Sequence, residues 1–376
     1  MRSSAIALVL VLLFISIAYP GGENPGAVFL MIWPGARPTA LGGAFTALAD
    51  DATCTYYNVG GLGFLNSTEV TLQHASWLPG LAPEGVDMYY EFLGATRSLK
   101  QKGTVGLNII YLTTGKTDVI NERGEYLGEY TTFDIAATTG YGFKVIPKLS
   151  AGVSFKFIYS FLVPDWVFKA MPELGIDAGG TGTTWALDFG LLFKPFNVLS
   201  LGAALQNIGP NIAYTTSGAS DPLPRMLRLG IRYQPINTNL FRLSIIPEIC
   251  KVLVGMFYDP LDTLTFSQEF SYELKEAWKS FGIELTYYDL ITARLGYFED
   301  LTGARGGVKV EYDNGQDEHI SLPQFLFTKH GGKFNKIGLT FGAGIQFKKF
   351  AFDISMDHLI YDFSTSNYKL SFSYRF

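Results

Sequence analysis

Two adjacent carboxylates, Asp50 and Asp51, and charges set singly into apolar stretches, Arg228, Arg232, Arg294 and Asp353, are the residues of this chain most able to do chemistry. Paired acids can form ion pairs with arginines enclosed in the same space; the alternative is a solvated or capped helix end. The single charges either line an ion path or pair with one another to fill an interior. Pairing is the favoured reading, because an unpaired buried charge is costly. Other chemistry lacks its constellation. His74, His319, His330 and His358 show no metal-ligand spacing, and Asp313-Asn314-Gly315 lacks the rest of a calcium loop. Neither Gly-x-Ser-x-Gly nor His-Glu-x-x-His occurs, and nothing singles out a Ser–His pair, so no catalytic residue, metal or cofactor is expected. Cys54 and Cys250 could join in an oxidising compartment, but two buried, unpaired thiols are the expectation.

The elements that must position these charges are extended. Hydrophobic residues make up 48% of the 376 and charged residues 17%, against about 25% charged in an ordinary soluble domain. Aromatics reach 15%, and there are 41 glycines. Beyond the amino terminus no apolar run approaches the roughly 20 residues of a spanning helix. A net charge of −5 without a basic stripe argues against nucleic acid.

Apolar residues recur at every second position. Val105, Leu107, Ile109 and Tyr111 form one such set, and Trp185, Leu187, Phe189, Leu191 and Phe193 another. The longest runs from Ile337 to Phe347, and the last is Tyr368, Leu370, Phe372, Tyr374 and Phe376. Residues between them are small or charged. About fourteen strands are predicted, near 68–77, 87–98, 103–113, 129–143, 150–160, 183–194, 199–208, 225–234, 241–252, 278–288, 290–299, 335–347, 350–360 and 367–376. Short turns, such as Pro147-Lys148 and Lys348-Lys349, alternate with longer loops at 114–128, 161–182, 209–224, 253–277 and 300–334. That is the pattern of an antiparallel transmembrane β-barrel, with apolar faces to lipid and polar faces to a lumen. An even strand count places both chain ends on the short-turn side. Helix formers at 262–278, capped by Asp262 or Thr263, predict a short helix in one loop, and Asn314-Gly315 predicts a hairpin in 313–334.

The chain divides into three parts. Residues 1–18 read as a cleaved export signal: Arg2, an apolar run, then Ser16-Ile17-Ala18. Residues 19–67 read as a hatch, with Leu41, Phe45 and Leu48 on one face of a helix that begins near Thr39 and ends at Asp50-Asp51. Lying before the first strand at the periplasmic end, this segment folds into the lumen, where its two acids would lock it to Arg228, Arg232 or Arg294. Residues 68–376 read as the barrel. Its aromatic end, Phe376, is expected to act as an assembly signal for the barrel-assembly machinery, and the outer wall to contact outer-membrane lipid.

The opening Gly35-Ala36-Arg37-x-x-Ala40-Leu41-Gly42-Gly43-Ala44-Phe45-Thr46-Ala47-Leu48-Ala49-Asp50-Asp51-Ala52, followed by Tyr56-Tyr57-Asn58-x-x-Gly61-Leu62, resembles that of PorV/PorQ-family outer-membrane proteins. That family is related to FadL-type channels. The stretches around Asp188-Phe189-Gly190 to Gln206-Asn207-Ile208-Gly209-Pro210, and Tyr287-Tyr288-Asp289-Leu290 to Arg294-Leu295-Gly296-Tyr297, are similar too. The resemblance marks Gly42, Gly43, Asp50, Asp51, Asn58 and Gly61 as hatch motif. It implies a non-enzymatic outer-membrane protein that receives or shuttles exported proteins in type IX secretion, with a translocon as partner. Uptake of hydrophobic molecules, as in FadL-type channels, is the second reading, and a general diffusion pore the third. The family's usual Asn-Pro-Ala-Gly-Leu reads Asn58-Val59-Gly60-Gly61-Leu62 here, and loop 300–334 is long for a PorV protein.

Overall fold

The structure, a computed structural model, describes residues 24–80, 88–171, 178–215, 219–257, 264–357 and 366–376. The expected export signal and His358 lie outside these. Fourteen long strands form an antiparallel sheet closed on itself. They are β1 (Glu69–Ser76), β2 (Tyr89–Ser98), β3 (Thr104–Ile120), β4 (Tyr126–Ile146), β5 (Leu149–Phe161), β6 (Thr181–Phe196), β7 (Leu199–Ile208), β8 (Met226–Asn237), β9 (Phe241–Val252), β10 (Trp278–Tyr287), β11 (Ile291–Asp300), β12 (Leu339–Phe347), β13 (Phe350–Asp357) and β14 (Asn367–Arg375). Each pairs with its neighbours in sequence. The barrel closes by β14 on β1, in a register running from Glu69 opposite Arg375 to Ser76 opposite Tyr368.

Alternation places the charges inside and the apolar residues outside. Lys369 is 0% exposed, whereas Phe155 on the outer face is 46% exposed. Lys156, Asp188, Arg228 and Glu284 are buried, while Leu107, Trp185, Phe189, Ile231, Phe281 and Leu370 are open. Such a wall is at ease only where its outside is not water. Aromatic contacts belt both ends. Tyr89, Tyr111, Phe133 and Phe161 follow one another toward the long-loop end at centroid separations of 5.4–5.9 Å. Phe241 with Tyr287, and Phe350 with Tyr374, lie toward the short-turn end.

Three elements depart from expectation. β3 and β4 continue through most of 114–128 as a two-stranded ribbon, tied by Lys116–Glu129 at 2.6 Å. The ribbon is mostly polar, with Val119 buried and Trp166 packed on Tyr130, so no apolar alternation announces it. The strand expected at 335–347 is divided: Lys333–Ile337 joins a three-stranded sheet with Val308–Glu311 and Asp317–Ile320, and only Leu339–Phe347 belongs to the barrel. The expected hairpin around Asn314-Gly315 forms within that sheet. The loop helix is Phe266–Glu276, capped by Thr265 in a capping box with Gln268; the expected caps Asp262 and Thr263 lie outside the described residues.

The amino-terminal segment fills the lumen over its whole height. Gly26 N donates to Pro222 O at 2.9 Å among the long loops, and Leu65 leads into β1 at the other end. The segment therefore starts at the long-loop mouth rather than at the short-turn end. The inward glycines of the wall make room for it. A Cβ at Gly152 would stand 2.3 Å from Val59 O, at Gly190 2.2 Å from Asn58 Oδ1, and at Gly202 2.2 Å from Thr46 O.

At the closing seam Phe376 N donates to Thr68 O at 3.0 Å, and its ring meets Tyr374 edge-on. A carboxylate at this interfacial position would lose both the ring contact and the belt. Phe376→Asp is expected to lower the yield of heat-modifiable, membrane-inserted barrel several-fold on unboiled gels, and a normal yield would remove Phe376 from assembly.

Candidate functional site

Arg37 is the hub of the lumen. It lies in a single helical turn, Ala36–Thr39, that Gly42 (φ +67°) and Gly43 (φ +79°) end by reversing the chain. No helix runs on to Asp50: left-handed backbone at two successive residues stops it. Leu41, Phe45 and Leu48 are nonetheless all buried. The reversal brings Arg37 onto both expected acids, Nη1 lying 2.7 Å from Asp50 Oδ1 and 2.9 Å from Asp51 Oδ2. The acids thus pair within their own segment, not with Arg228, Arg232 or Arg294 as the sequence suggested. The wall enters one step later. Arg37 Nε and Nη2 reach Glu284 at 2.8 and 2.9 Å, Arg294 Nε reaches the same carboxylate at 2.8 Å, and Arg294 Nη1 reaches Asp353 at 2.6 Å.

Burial alone would depress Arg37, but the surrounding carboxylates outweigh it and hold the guanidinium firmly ionised. Burial opposes the charge of Asp50 as well, and the Arg37 guanidinium outweighs it, holding that carboxyl below the usual carboxylate range.

Arg228 sits elsewhere, in a second clamp. Its Nη1 donates to Glu248 Oε1 at 2.8 Å and its Nε to Gln206 Oε1 at 3.0 Å. Glu248 Oε2 then accepts the backbone N–H groups of Phe45 and Thr46 at 2.9 and 2.8 Å. Gln206 Nε2 donates to Tyr56 O. Among the described residues, Arg232 hydrogen-bonds the neutral Ser244 Oγ and Gln234 Oε1. It lines, with Asp50, Asp51, Arg294, Asp353 and Arg375, a cavity of about 370 Å³ between the hub and the short-turn mouth.

Asn58 pins the far turn. Its Nδ2 donates to Thr46 O at 2.8 Å and to Leu191 O of β6 at 2.9 Å, while Oδ1 accepts Gly60 N at 3.0 Å. Gly61 packs where a Cβ would stand 2.4 Å from Ala49 O. Gly60, which replaces the alanine of the resembling motif, leaves no room either: a Cβ there would lie 2.7 Å from the Gly190 carbonyl. Lys369 Nζ donates to Trp33 O at 2.6 Å and Thr39 Oγ1 at 3.0 Å. Sequence reasoning missed Arg37, Glu248, Glu284, Gln206 and Lys369 as holders of the segment. Glu284 and Lys369 were legible as inward by alternation, but what they meet was not.

The histidines are dispersed. His74 pairs with Glu91 at 2.6 Å on the outer wall, His319 meets Gly306 O, and His330 stacks on Phe325. Cys54 and Cys250 are both free and buried. Among the described residues no cluster of His, Cys, Asp and Glu has the geometry to hold a metal.

The family described as Type IX secretion system protein PorV matches residues 24–259, more than half of the chain. This chain belongs to the PorV family. It is therefore a non-enzymatic outer-membrane β-barrel of type IX secretion. Among solved structures, the P. putida toluene transporter TodX aligns with 91% of this chain and 98% of its own, at 14% identity and TM-score 0.50. The Ralstonia pickettii toluene transporter TbuX aligns over the same shares at 13% identity and TM-score 0.52. These likenesses show a shared FadL-like barrel fold. No curated protein matches the chain. In a PorV-family barrel the short turns face the periplasm and the long loops the outside, so the cavity beneath the Arg37 hub opens toward the periplasm.

Removing Arg37 strands Asp50 and Asp51 beside Glu284, which keeps only Arg294. Arg37→Met is expected to cost about 3 kcal/mol, the low end for breaking a buried pair because Asp50 is partly wetted, and to raise planar-bilayer conductance. A closed trace and unchanged denaturation midpoint would show the hub holds nothing. Asp50 titrates lower in the folded than in the unfolded chain, so its contribution is present above the unfolded pKa of about 4 and is lost as pH falls through the folded value. Conductance should therefore stay flat from about pH 8 to about pH 5 and rise below about pH 4; a rise on alkalinisation would overturn the assignment.

Proposed function

We propose that this PorV-family protein receives or shuttles exported proteins at the outer membrane through its outward loops, with the lumen kept shut by residues 19–67 as a hatch. In this reading residues 1–18 are a removed export signal and 68–376 the barrel. Family membership brings association with type IX secretion components. The observation that carries the finer reading is the pinning of the lumen segment: it bonds to β1, β5–β7, β9, β10, β12 and β14. A segment tied to the wall on so many sides suits a platform better than a conduit. The long-loop end carries the folded extras, the three-stranded sheet and the helix Phe266–Glu276.

Uptake of hydrophobic solutes, suggested by the barrel fold shared with the toluene transporters TodX and TbuX, fits less well. The cavity beneath the hub is walled by charges, including Arg37, Arg232, Glu284 and Arg294, and an apolar solute would strip them of water.

Affinity capture from membranes solubilised in mild detergent is expected to recover a translocon component and exported proteins, and Arg37→Met is expected to leave that recovery within about twofold. Recovery of neither, together with a lipophile retained in the lumen, would transfer the function to solute uptake.

A further inference from the structure

On β9, β10 and β11 the outward positions turn from apolar to charged toward the loops. Phe281 gives way to Lys279 and Tyr297 to the buried Glu299, which lie opposite each other, and on β9 Ile249, opposite Lys279, gives way to Lys251 one outward step later. Charge on the outer face marks where the wall leaves hydrocarbon. The helix Phe266–Glu276 is fastened on that side of the barrel, at Lys251. Lys251 Nζ meets Glu273 at 2.5 Å and Glu276 at 2.6 Å, and Glu273 also accepts Phe257 N at 2.6 Å. The helix thus lies outside the barrel rim and turns a polar edge to it.

Its other edge is apolar and uncovered. Phe266, Phe270 and Leu274 follow at i, i+4 and i+8, and are 66%, 47% and 47% exposed. Phe257 and Phe270 stack on either side of Phe266. Nearby on the same rim, Leu322 N donates to the outward Tyr297 Oη, opening the turn Leu322–Phe327, whose Phe327 is 86% exposed. In water, such a row of open phenylalanines is unfavourable. Here the row continues the lipid-facing apolar band upward, past a belt that carries Lys251, Lys275 and Lys279.

We infer that the helix Phe266–Glu276 is an interfacial helix: it lies in the headgroup layer of the outer leaflet, with Phe266, Phe270 and Leu274 on the acyl boundary and Lys275 among the headgroups. Phe327 is a second anchor on the same rim. This sector of the loop face is thereby seated on lipid and held at a fixed height, which leaves the remaining loops as the free surface.

The test uses nitroxide labels on the full chain in phosphatidylcholine–phosphatidylglycerol vesicles, at Phe270→Cys and Phe327→Cys. The buried Cys54 and Cys250 supply the unlabelled background. Phe281→Cys gives the lipid reference, and Asp313→Cys the water reference, since that side chain is 85% exposed. Labels at 270 and 327 should collide with oxygen more than with a water-soluble nickel chelate, at a depth of about 5–10 Å. Collision with the chelate as frequent as at 313 would overturn the inference. So would low collision with both, which would place the row against protein. Should Phe270→Cys not yield a heat-modifiable barrel, Leu274→Cys gives the same reading.

Discussion

Irregular backbone at membrane depth is tolerated only where each N–H and C=O finds a partner, and the segment inside this barrel lives under that constraint. Most of residues 29–64 are neither regular helix nor strand. Their backbone groups are satisfied from the wall: Gly35 N by Gln73, Ala36 N by Ser371, Phe45 N and Thr46 N by Glu248, Ala52 N by Glu69, and Gly60 O by Ser150. The inward polar residues of the barrel are thus largely explained by what they hold. Glu248 illustrates the economy of the arrangement, since one carboxylate neutralises Arg228 and caps two amides at once.

The same constraint decides between an ion path and a filled interior. An ion path needs charges that face a continuous water column. Here Arg37, Glu284, Arg294 and Asp353 are consecutive links of one chain of contacts, each at 2.6–2.9 Å. Their charge is consumed in pairing, and the hub ties the segment to β10, β11 and β13 at once. Open space lies below, in the cavity where Arg232 bonds Ser244 and Gln234. The Glu69–Arg375 pair, 2.5 Å apart, adds a link between the segment and the seam where the barrel closes, because Glu69 also accepts Ala52 N. Closure of the sheet and seating of the segment therefore share a residue.

What could be read from the sequence follows from this physics. A strand with lipid on one side and a packed lumen on the other must alternate, so all fourteen were legible, with the turns between them. The β3–β4 ribbon escaped because its residues are mostly polar, with Val119 its buried apolar side chain, so no alternation marks it. Asp50 and Asp51 were legible as interior charges, but not their partner. Arg37 lies only thirteen residues before Asp50, and it is the pair of left-handed glycines at 42 and 43 that folds one back on the other. Reading those glycines as part of a helix sent the acids to the wrong arginines. Glu248 and Gln206 carry no local signal at all: their roles exist only once the segment lies across them.

A shared barrel is a weak guide to what passes through it, or whether anything does. TodX and TbuX have this barrel fold at 13–14% identity, an identity at which a fold can persist while inward residues are replaced. The wall's architecture needs only alternation; transport of an apolar solute needs an apolar route. In this chain the inward face is spent on holding the segment by charge and amide contacts, and the cavity that remains is lined with arginines and carboxylates. The outer face and the loops are subject to no such demand. The rim of β9–β11 shows how far they are free to diverge, with a folded sheet and an outward helix added where the barrel itself requires only a turn. The wall must alternate to stand between lipid and a packed interior, whereas the loop end carries a sheet and a helix that no such alternation dictates.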